Sequence, residues 1–181
     1  GGGRIALSYD AASQAGVLPQ PALRLSAAGG TDGDTSVQTD EKIRASRGHP
    51  GTIWLSDTSF FPTAALQGGR IAIPGFTNWV VPGGLTVTNG LAGFPDGFSL
   101  TVSNDVTLYG SSGIEISNSR VTVGGDLIMD SGALNTACSI LWGGPSSSVT
   151  VAGNVFLRQG WLEIRGGDSN VNDFVIGGSL T

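Results

Sequence analysis

Three oxygen-bearing side chains recur at one position of a repeated pattern, and their type suits cation binding. Asp105, Asp126 and Asn154 each follow a short corner and precede an alternating apolar segment. If successive repeats stack as parallel strands, neighbouring members lie about 4.8 Å apart, and their oxygens suit Ca²⁺. The alternative is that Asp and Asn favour turns and accept hydrogen bonds from backbone N–H groups. The cofactor prediction is therefore none, with Ca²⁺ as the alternative.

A second group combines an aromatic ring with charged side chains. Trp142, Glu163 and Arg165 fall on two successive repeats, at positions expected to face solvent. A Trp beside an Arg forms a cation–π pair. A solvent-facing Trp among polar groups also offers a flat apolar platform for a sugar ring. These three residues are the candidate ligand-binding site, with a purely structural pair as the alternative.

Two glutamates of the same strand column raise the question of acid–base chemistry. Glu115 and Glu163 are expected to face outward two repeats apart, about 9–10 Å by strand spacing. That separation is near the roughly 6.5–9.5 Å between the carboxyl groups of inverting glycosidases. Ile140 is expected to lie between them, which favours two solvated surface charges over an acid–base pair.

The chain lacks the residue sets of common catalytic centres. His49 is its only histidine and Cys138 its only cysteine, which excludes a zinc cluster of His and Cys and an internal disulfide. Cys138 has apolar neighbours and is expected to be a small buried hydrophobe. Thr101, Thr122 and Thr150 form an expected outward column, which is ordinary in sheets, with an ice-binding array as the alternative. No catalytic residue is assigned.

These residues all belong to an internal repeat. Segments that start at residues 79, 100, 121, 149 and 174 share an alternating apolar strand, a Gly-rich corner and a second alternating strand. Alternation of apolar with other residues is the period of a β-strand. A third short strand follows in each copy, so that one repeat holds three strands and three corners. Repeats of this kind predict the coils of a parallel β-solenoid.

The alignment predicts which side chains stack inside the solenoid. Each coil must bury its apolar side against the next, so the inward residues form columns along the axis. The first column is Val81, Val102, Val123, Val151 and Ile176, and the second is Leu85, Val106, Leu127, Val155 and Leu180. The third is Ile114, Ser139 and Leu162 beside Ile116, Leu141 and Ile164, aligned by the Gly-Gly pairs that follow.

The predicted fold is therefore all-β: a right-handed parallel β-helix of about six or seven coils, open at both ends. It forms a single domain over 1–181, with wider, loop-rich coils at 1–78 and regular coils at 79–181. The first part has expected strands at 4–8, 22–26, 52–56 and 70–73. Its polar loop at 29–50 favours a helical turn only at 40–46. The chain starts and stops in mid-pattern, which is typical of a fragment of a longer chain.

Composition and charge limit the function classes. The 181 residues include 30 Gly, only 13% are charged, and the net charge is −5. Low charge and abundant Gly argue against a coiled coil or a disordered acidic tail and favour tight turns. No basic stripe is present, so nucleic acid is not an expected partner. No apolar run of about 18 residues predicts a membrane span.

Two segments resemble a known group of proteins. The opening Gly-Gly-Gly-Arg-Ile-Ala-Leu-Ser-Tyr at 1–9 and Gly-Thr-Ile-Trp-Leu at 51–55 resemble recurring segments of very large secreted bacterial surface proteins. Those proteins are built from parallel β-helices similar in fold to the pectate-lyase-like group. The resemblance implies an extracellular or cell-surface location and an adhesive or polysaccharide-associated role. It carries no catalytic residue onto this chain.

Three functions follow as expectations. The first is a non-catalytic structural or adhesive β-helix module of a secreted or cell-surface protein, with the rest of a longer polypeptide as its partner. The second is a polysaccharide-binding module, which exposed tryptophans would favour and burial of Trp54, Trp142 and Trp161 would remove. The third is a polysaccharide lyase or hydrolase domain, which needs an acid–base pair or a metal in a cleft.

Overall fold

A computed structural model describes residues 3–17, 25–27, 51–59, 61, 65–110, 112–132, 138–143, 146–159, 162–165 and 171–181. One short helix, α1 (Ala11–Gln14), accompanies fifteen strands in this part of the chain. The strands are β1 (Arg4–Leu7), β2 (Thr52–Leu55), β3 (Ala65–Ala72), β4 (Asn78–Val81), β5 (Leu85–Gly93), β6 (Ser99–Val102), β7 (Val106–Tyr109), β8 (Gly113–Ser117), β9 (Arg120–Val123), β10 (Leu127–Asp130), β11 (Cys138–Gly143), β12 (Ser146–Val151), β13 (Val155–Gln159), β14 (Leu162–Arg165) and β15 (Val171–Ile176). All named strand pairs are parallel, and the fold is a parallel β-solenoid.

The strands stack into three walls. Wall 1 contains β4, β6, β9, β12 and β15. Wall 2 contains the first parts of β3 and β5, then β7, β10 and β13. Wall 3 contains β1, β2, the last parts of β3 and β5, then β8, β11 and β14. The predicted three strands per repeat are thus confirmed.

The solenoid completes about four turns, fewer than the six or seven expected. β1, β2 and β3 do stack on one another, but they extend wall 3 and, for β3, wall 2. Among the described residues, the first strand of wall 1 is β4. Residues 22–24 of the expected strand at 22–26, the loop at 29–50 and its helical turn at 40–46 lie outside the described residues. Leu25 and Ser26 are described but do not belong to a strand.

The two main inward columns are confirmed residue by residue. Val81, Val102, Val123, Val151 and Ile176 stand opposite one another on wall 1. Leu85, Val106, Leu127 and Val155 do so on wall 2, and an isolated parallel bridge adds Leu180. The members from the inner coils are almost completely buried. Burial of these aliphatic side chains between coils supplies most of the apolar contact that holds the stack together.

The third column is shifted by one residue from the prediction. Ile114 stands opposite Ile140 rather than Ser139, and Ile140 stands opposite Ile164. Leu162 pairs with Cys138. Ile140 is therefore buried inside the solenoid and does not lie between two outward glutamates. The alignment failed here because apolar residues occupy consecutive positions of β11, so alternation alone does not choose its inward face.

Aromatic side chains fill the start of the regular coils. Phe61 contacts Phe76 and Trp79 edge to face, with ring centroids 5.2 and 4.6 Å apart. Phe94 stacks on Phe98 at 4.8 Å. These rings belong to one continuous buried core with the aliphatic columns. Rings of this size bury a large apolar area in one place.

Candidate functional site

The corner between walls 1 and 2 carries the residues predicted for Ca²⁺. The Asp105 carboxylate accepts a hydrogen bond from the backbone N–H of Asp126 (2.8 Å), and Asp126 accepts one from the N–H of Asn154 (2.7 Å). The Asn154 side-chain oxygen in turn accepts the N–H of Ser179 at 3.0 Å. Each side chain thus bonds the backbone of the equivalent residue in the next coil. We call this series the corner ladder.

The corner ladder needs glycine at one neighbouring position. A Cβ on Gly125 would lie 2.2 Å from Oδ1 of Asp105, and a Cβ on Gly153 would lie 2.3 Å from Oδ1 of Asp126. In the first coil the ladder position is Gly84, which has no side chain. In the next coil, the residue just before Asp105 therefore does not need to be glycine, and it is Asn104. The repeated Gly-Asp or Gly-Asn pair is therefore a packing requirement between coils.

The ladder changes what the corner offers a cation. Asn154 uses its amide N–H on Asp126 and its oxygen on Ser179, and one oxygen of each carboxylate serves a backbone N–H. The second carboxylate oxygens remain for a cation that takes six to eight oxygen ligands. The described residues contain no group of three or more His, Cys, Asp or Glu side chains that could hold a metal ion. Calcium binding by Asp105, Asp126 and Asn154 stays a prediction, and no chemistry is derived through it.

The predicted ligand site of Trp142, Glu163 and Arg165 lies on β11 and β14 of wall 3. Arg165 stands opposite Leu141, and Glu163 stands opposite Ser139. Trp142 stands opposite Ile116 of the preceding coil. Trp142 therefore lies one residue beyond the partner of Arg165 on β11. The side chains of these three residues lie outside the described part of the structure, so their role in ligand binding stays a prediction.

Glu115 has a partner that sequence reasoning missed. Nε of Arg70 donates to one Glu115 carboxylate oxygen at 2.9 Å, and a terminal nitrogen donates to the other at 2.6 Å. Arg70 and Glu115 are two coils apart, and Gly93 stands between them in the register. A Cβ on Gly93 would lie 2.8 Å from Cγ of Arg70. The missing side chain is what lets this bidentate pair form across a coil.

The predicted pair of glutamates is not aligned across the coils. Glu115 stands opposite Leu141, whereas Glu163 stands opposite Ser139, two residues earlier on the same strand. The offset adds about 7 Å along the strand to the separation across two coils. Glu115 is also engaged by a guanidinium. The register and the ion pair thus remove the geometric basis of the suggested acid–base pair.

An apolar cavity lies under the first coils but is small. Its volume is about 20 Å³, and Ile53, Leu55, Leu66 and Ile71 are among its lining residues. A space of that size holds about one water molecule. A ligand larger than one water molecule therefore does not fit into this cavity.

Wall 2 presents two outward rows of side chains. One outward row contains Thr86, Thr107, Ile128 and Phe156, and the next contains Thr88, Tyr109 and Asp130. Tyr109 is 50% exposed. Its hydroxyl lies near Gly132 in the next corner, where a Cβ would be 3.7 Å away. The alternation of the repeat already predicted these outward positions.

The tryptophans divide between core and surface. Trp79 is buried in the aromatic cluster. Trp54 is half-buried and alternates with the buried Ile53 and Leu55, so it faces outward on wall 3, between Ala6 and Ala72. The side chains of Trp142 and Trp161 lie outside the described residues. Trp54 therefore keeps the polysaccharide-binding interpretation open.

Cys138 is buried, as predicted. Burial raises the pKa of its thiol, which lies 3.5 Å from the carbonyl oxygen of Leu108. A raised pKa keeps the sulfur protonated and lowers its nucleophilicity. His49, the only histidine of the chain, lies outside the described residues. The thiol thus behaves as a small hydrophobe inside wall 3.

Comparison of the chain with protein families, curated proteins and solved structures found no match. In the described part of the chain, no helix has the length and apolar character needed to cross a bilayer.

Proposed function

We propose that this chain is a non-catalytic structural or adhesive β-helix module of a secreted or cell-surface protein. The observation that carries the proposal is the corner ladder, which joins four successive coils by side-chain-to-backbone hydrogen bonds. Together with the buried aliphatic columns, it holds consecutive coils in one register. Such a stack makes a stiff spacer whose outward residues are free to serve contact with a surface.

The setting proposed for the module is a longer polypeptide. The segments at 1–9 and 51–55 resemble very large secreted bacterial surface proteins, and the low charged fraction of 13% agrees with an exported repeat structure. In that setting the rest of the polypeptide is the module's partner, and wall surfaces provide adhesion.

The test uses beads coated with the intact chain, with heat-unfolded chain on matched beads as the control. We expect the folded chain to retain beads on surfaces coated with extracellular polymers, and to release no reducing sugar ends from those polymers. Release of reducing ends would replace the proposal with an enzyme. Equal retention by folded and unfolded chain would remove the adhesive role.

A second candidate function, a polysaccharide-binding module, is favoured by Tyr109. This ring is half exposed on wall 2 and stands beside Thr88 and Asp130 in its row. A phenol ring offers an apolar face and a polar hydroxyl in one side chain. Hydroxyl and carboxylate groups next to it supply hydrogen bonds to sugar hydroxyls.

Electrophoresis through native gels cast with soluble polysaccharides tests this second function. We expect the chain to be retarded by at least one polymer, with no cleared zone after polysaccharide staining. Unchanged mobility in gels of both neutral and acidic polymers would contradict polysaccharide binding and leave only the structural module.

A further inference from the structure

We propose that wall 2 binds an extended, neutral, β-linked polysaccharide chain that runs parallel to the solenoid axis. The proposal deepens the second candidate function and rests on it, because it names the surface, the polymer class and the orientation. Its central residue is Tyr109, with the two outward rows of wall 2 on either side.

The charge on wall 2 favours a neutral ligand. The chain as a whole carries a net charge of −5. On the described outward positions of wall 2, the charged side chains are Asp130 and Arg158, at the margin of β10 and β13. They have opposite signs. A neutral polymer avoids both the desolvation of fixed charges and repulsion from the acidic chain.

The side chains of wall 2 match the two kinds of surface on a sugar ring. Tyr109 is half exposed, and Ile128 and Phe156 are half-buried, so apolar area remains open to solvent. The apolar C–H face of a pyranose stacks on such area, since C–H groups meet the negative face of an aromatic ring. Thr86 and Thr107 supply hydroxyls that both donate and accept hydrogen bonds.

The wall is held in shape before any ligand arrives. Leu108 and Met129, the inward neighbours of the outward residues on β7 and β10, are fully buried. The strands pair in unbroken parallel register from β5 through β7 to β10. Rigid backing of this kind lowers the entropy lost on binding, because the contact groups are already in place.

The spacing of the coils sets the orientation of the polymer. Successive strands of wall 2 repeat about every 4.8 Å along the axis, close to the advance per sugar in an extended β-1,4-linked chain. A chain parallel to the axis therefore presents about one sugar to each coil. Four coils, those of β5, β7, β10 and β13, form this surface. A helical or strongly bent glycan does not keep this match.

The experiment combines oligosaccharide length with a matched pair of variants. Calorimetric titration uses cello-oligosaccharides of two to six units, and native gels use hydroxyethyl cellulose, dextran and polygalacturonate. We expect affinity to rise with length up to about four sugars, one per coil, and retardation by hydroxyethyl cellulose only.

Tyr109→Ala should weaken binding by about tenfold, whereas Tyr109→Phe should retain most of it. Val80→Ala removes an apolar side chain that is 63% exposed on wall 1, and it should leave affinity unchanged.

The outcomes distinguish a failure of this inference from a failure of the polysaccharide-binding function on which it rests. Binding to cellulosic ligands that Tyr109→Ala and Val80→Ala affect equally would overturn wall 2 as the site and leave polysaccharide binding intact. Stronger retardation by polygalacturonate or dextran would overturn the ligand class. Affinity that does not depend on length would overturn the orientation. Binding to none of the polymers would overturn both this inference and the polysaccharide-binding function.

Discussion

Each step of the corner ladder requires an empty position in the coil above it. Oδ1 of Asp126 occupies the space in which a side chain at Gly153 would begin. The ladder bond and the glycine are therefore one unit, because the N–H that donates belongs to Asn154, the residue that follows Gly153. Gly83 occupies the same corner position in the first regular coil, but no atom lies within 4 Å of its Cβ direction.

Gly153→Ala is expected to destabilise the protein by about 1–3 kcal/mol, because the new methyl group overlaps Asp126 Oδ1 and the backbone of Gly125. Gly83→Ala is the matched control and should change stability by no more than about 0.5 kcal/mol. Urea unfolding followed by circular dichroism measures both. Similar losses for the two variants would contradict the packing requirement.

The chemistry of the corner was predictable only as a choice between two roles. The recurrence of Asp105, Asp126 and Asn154 at one position is visible in the sequence. Both calcium binding and hydrogen bonding to the backbone agree with it, because both use the same oxygens. Whether these oxygens accept a backbone N–H of the next coil depends on the distance between coils, which the sequence does not give. The Gly before each ladder residue was the available signal for close approach.

At the scale of the elements, Arg70 and Glu115 connect β3 to β8 across β5. Their side chains are 53% and 28% exposed, so the pair itself contributes only about 0.2–1 kcal/mol. Its contribution to the fold is to connect three consecutive strands of wall 3, namely β3, β5 and β8. Gly93 on β5 provides the gap through which the pair passes.

Gly93→Ala is expected to cost about 1–2 kcal/mol, because its methyl group meets Cγ of Arg70 and Oε2 of Glu115. In an Arg70→Ala background the same change should cost less than about half as much, since the main obstacle has been removed. A double-mutant cycle by urea unfolding measures the difference. Equal costs in the two backgrounds would show that the Arg70–Glu115 ion pair is not the reason why position 93 requires glycine.

A second link joins the segment after β1 to the segment after β2. The Tyr9 hydroxyl donates a hydrogen bond to the Asp57 carboxylate. This bond, with a further one from the backbone N–H of Ser59, lowers the pKa of Asp57. Burial, followed by the bond to Asp57, raises the pKa of Tyr9. The folded state therefore favours ionised Asp57 beside neutral Tyr9.

The pH dependence of stability follows from the lowered pKa of Asp57 and the raised pKa of Tyr9. The lowered pKa of Asp57 gives stability that is present above about pH 4, the ordinary range of Asp, and is lost as the pH falls through the folded value. The raised pKa of Tyr9 gives stability that is present below about pH 10 and is lost as the pH rises through its folded value. The stability difference between wild type and Tyr9→Phe should be largest between these limits.

Urea midpoints from pH 2.5 to 11 measure that difference. Tyr109→Phe, which removes an exposed tyrosine hydroxyl from wall 2, is the control for the loss of a phenol group as such. A difference for Tyr9→Phe that does not shrink at acid pH would argue against the contact with Asp57.

For the elements, sequence reasoning was accurate where a corner fixed the alignment. The glycine corners between walls 1 and 2 set the register of ten residues in two columns, and each was confirmed. Wall 3 had no such anchor. Ile140 and Leu141 are adjacent apolar residues on β11, and the register places Ile140 opposite Ile114 and Ile164. That register is a property of neighbouring coils rather than of one segment.

At the scale of the whole molecule, position along the axis decides what an inward residue contributes. Leu127 and Leu180 belong to the same column, but Leu127 lies between two coils and is 1% exposed, whereas Leu180 is 60% exposed in the last coil. In a stack where each coil contacts only its neighbours, stability is a sum of coil and interface terms. An inner residue belongs to two interfaces and a terminal residue to one.

Leu127→Ala should therefore cost about 2–5 kcal/mol, since it leaves a cavity between two coils, and Leu180→Ala should cost no more than about 0.5 kcal/mol. Hydrogen exchange provides the second measurement: amides of β7 and β10 should exchange more slowly than those of β15, because opening a terminal coil breaks a single interface. Equal protection along the stack, or equal cost of the two substitutions, would mean that the solenoid unfolds as one indivisible unit. The nearest-neighbour description would then be wrong for this chain, and stiffness would have to be attributed to the corner ladder as a whole.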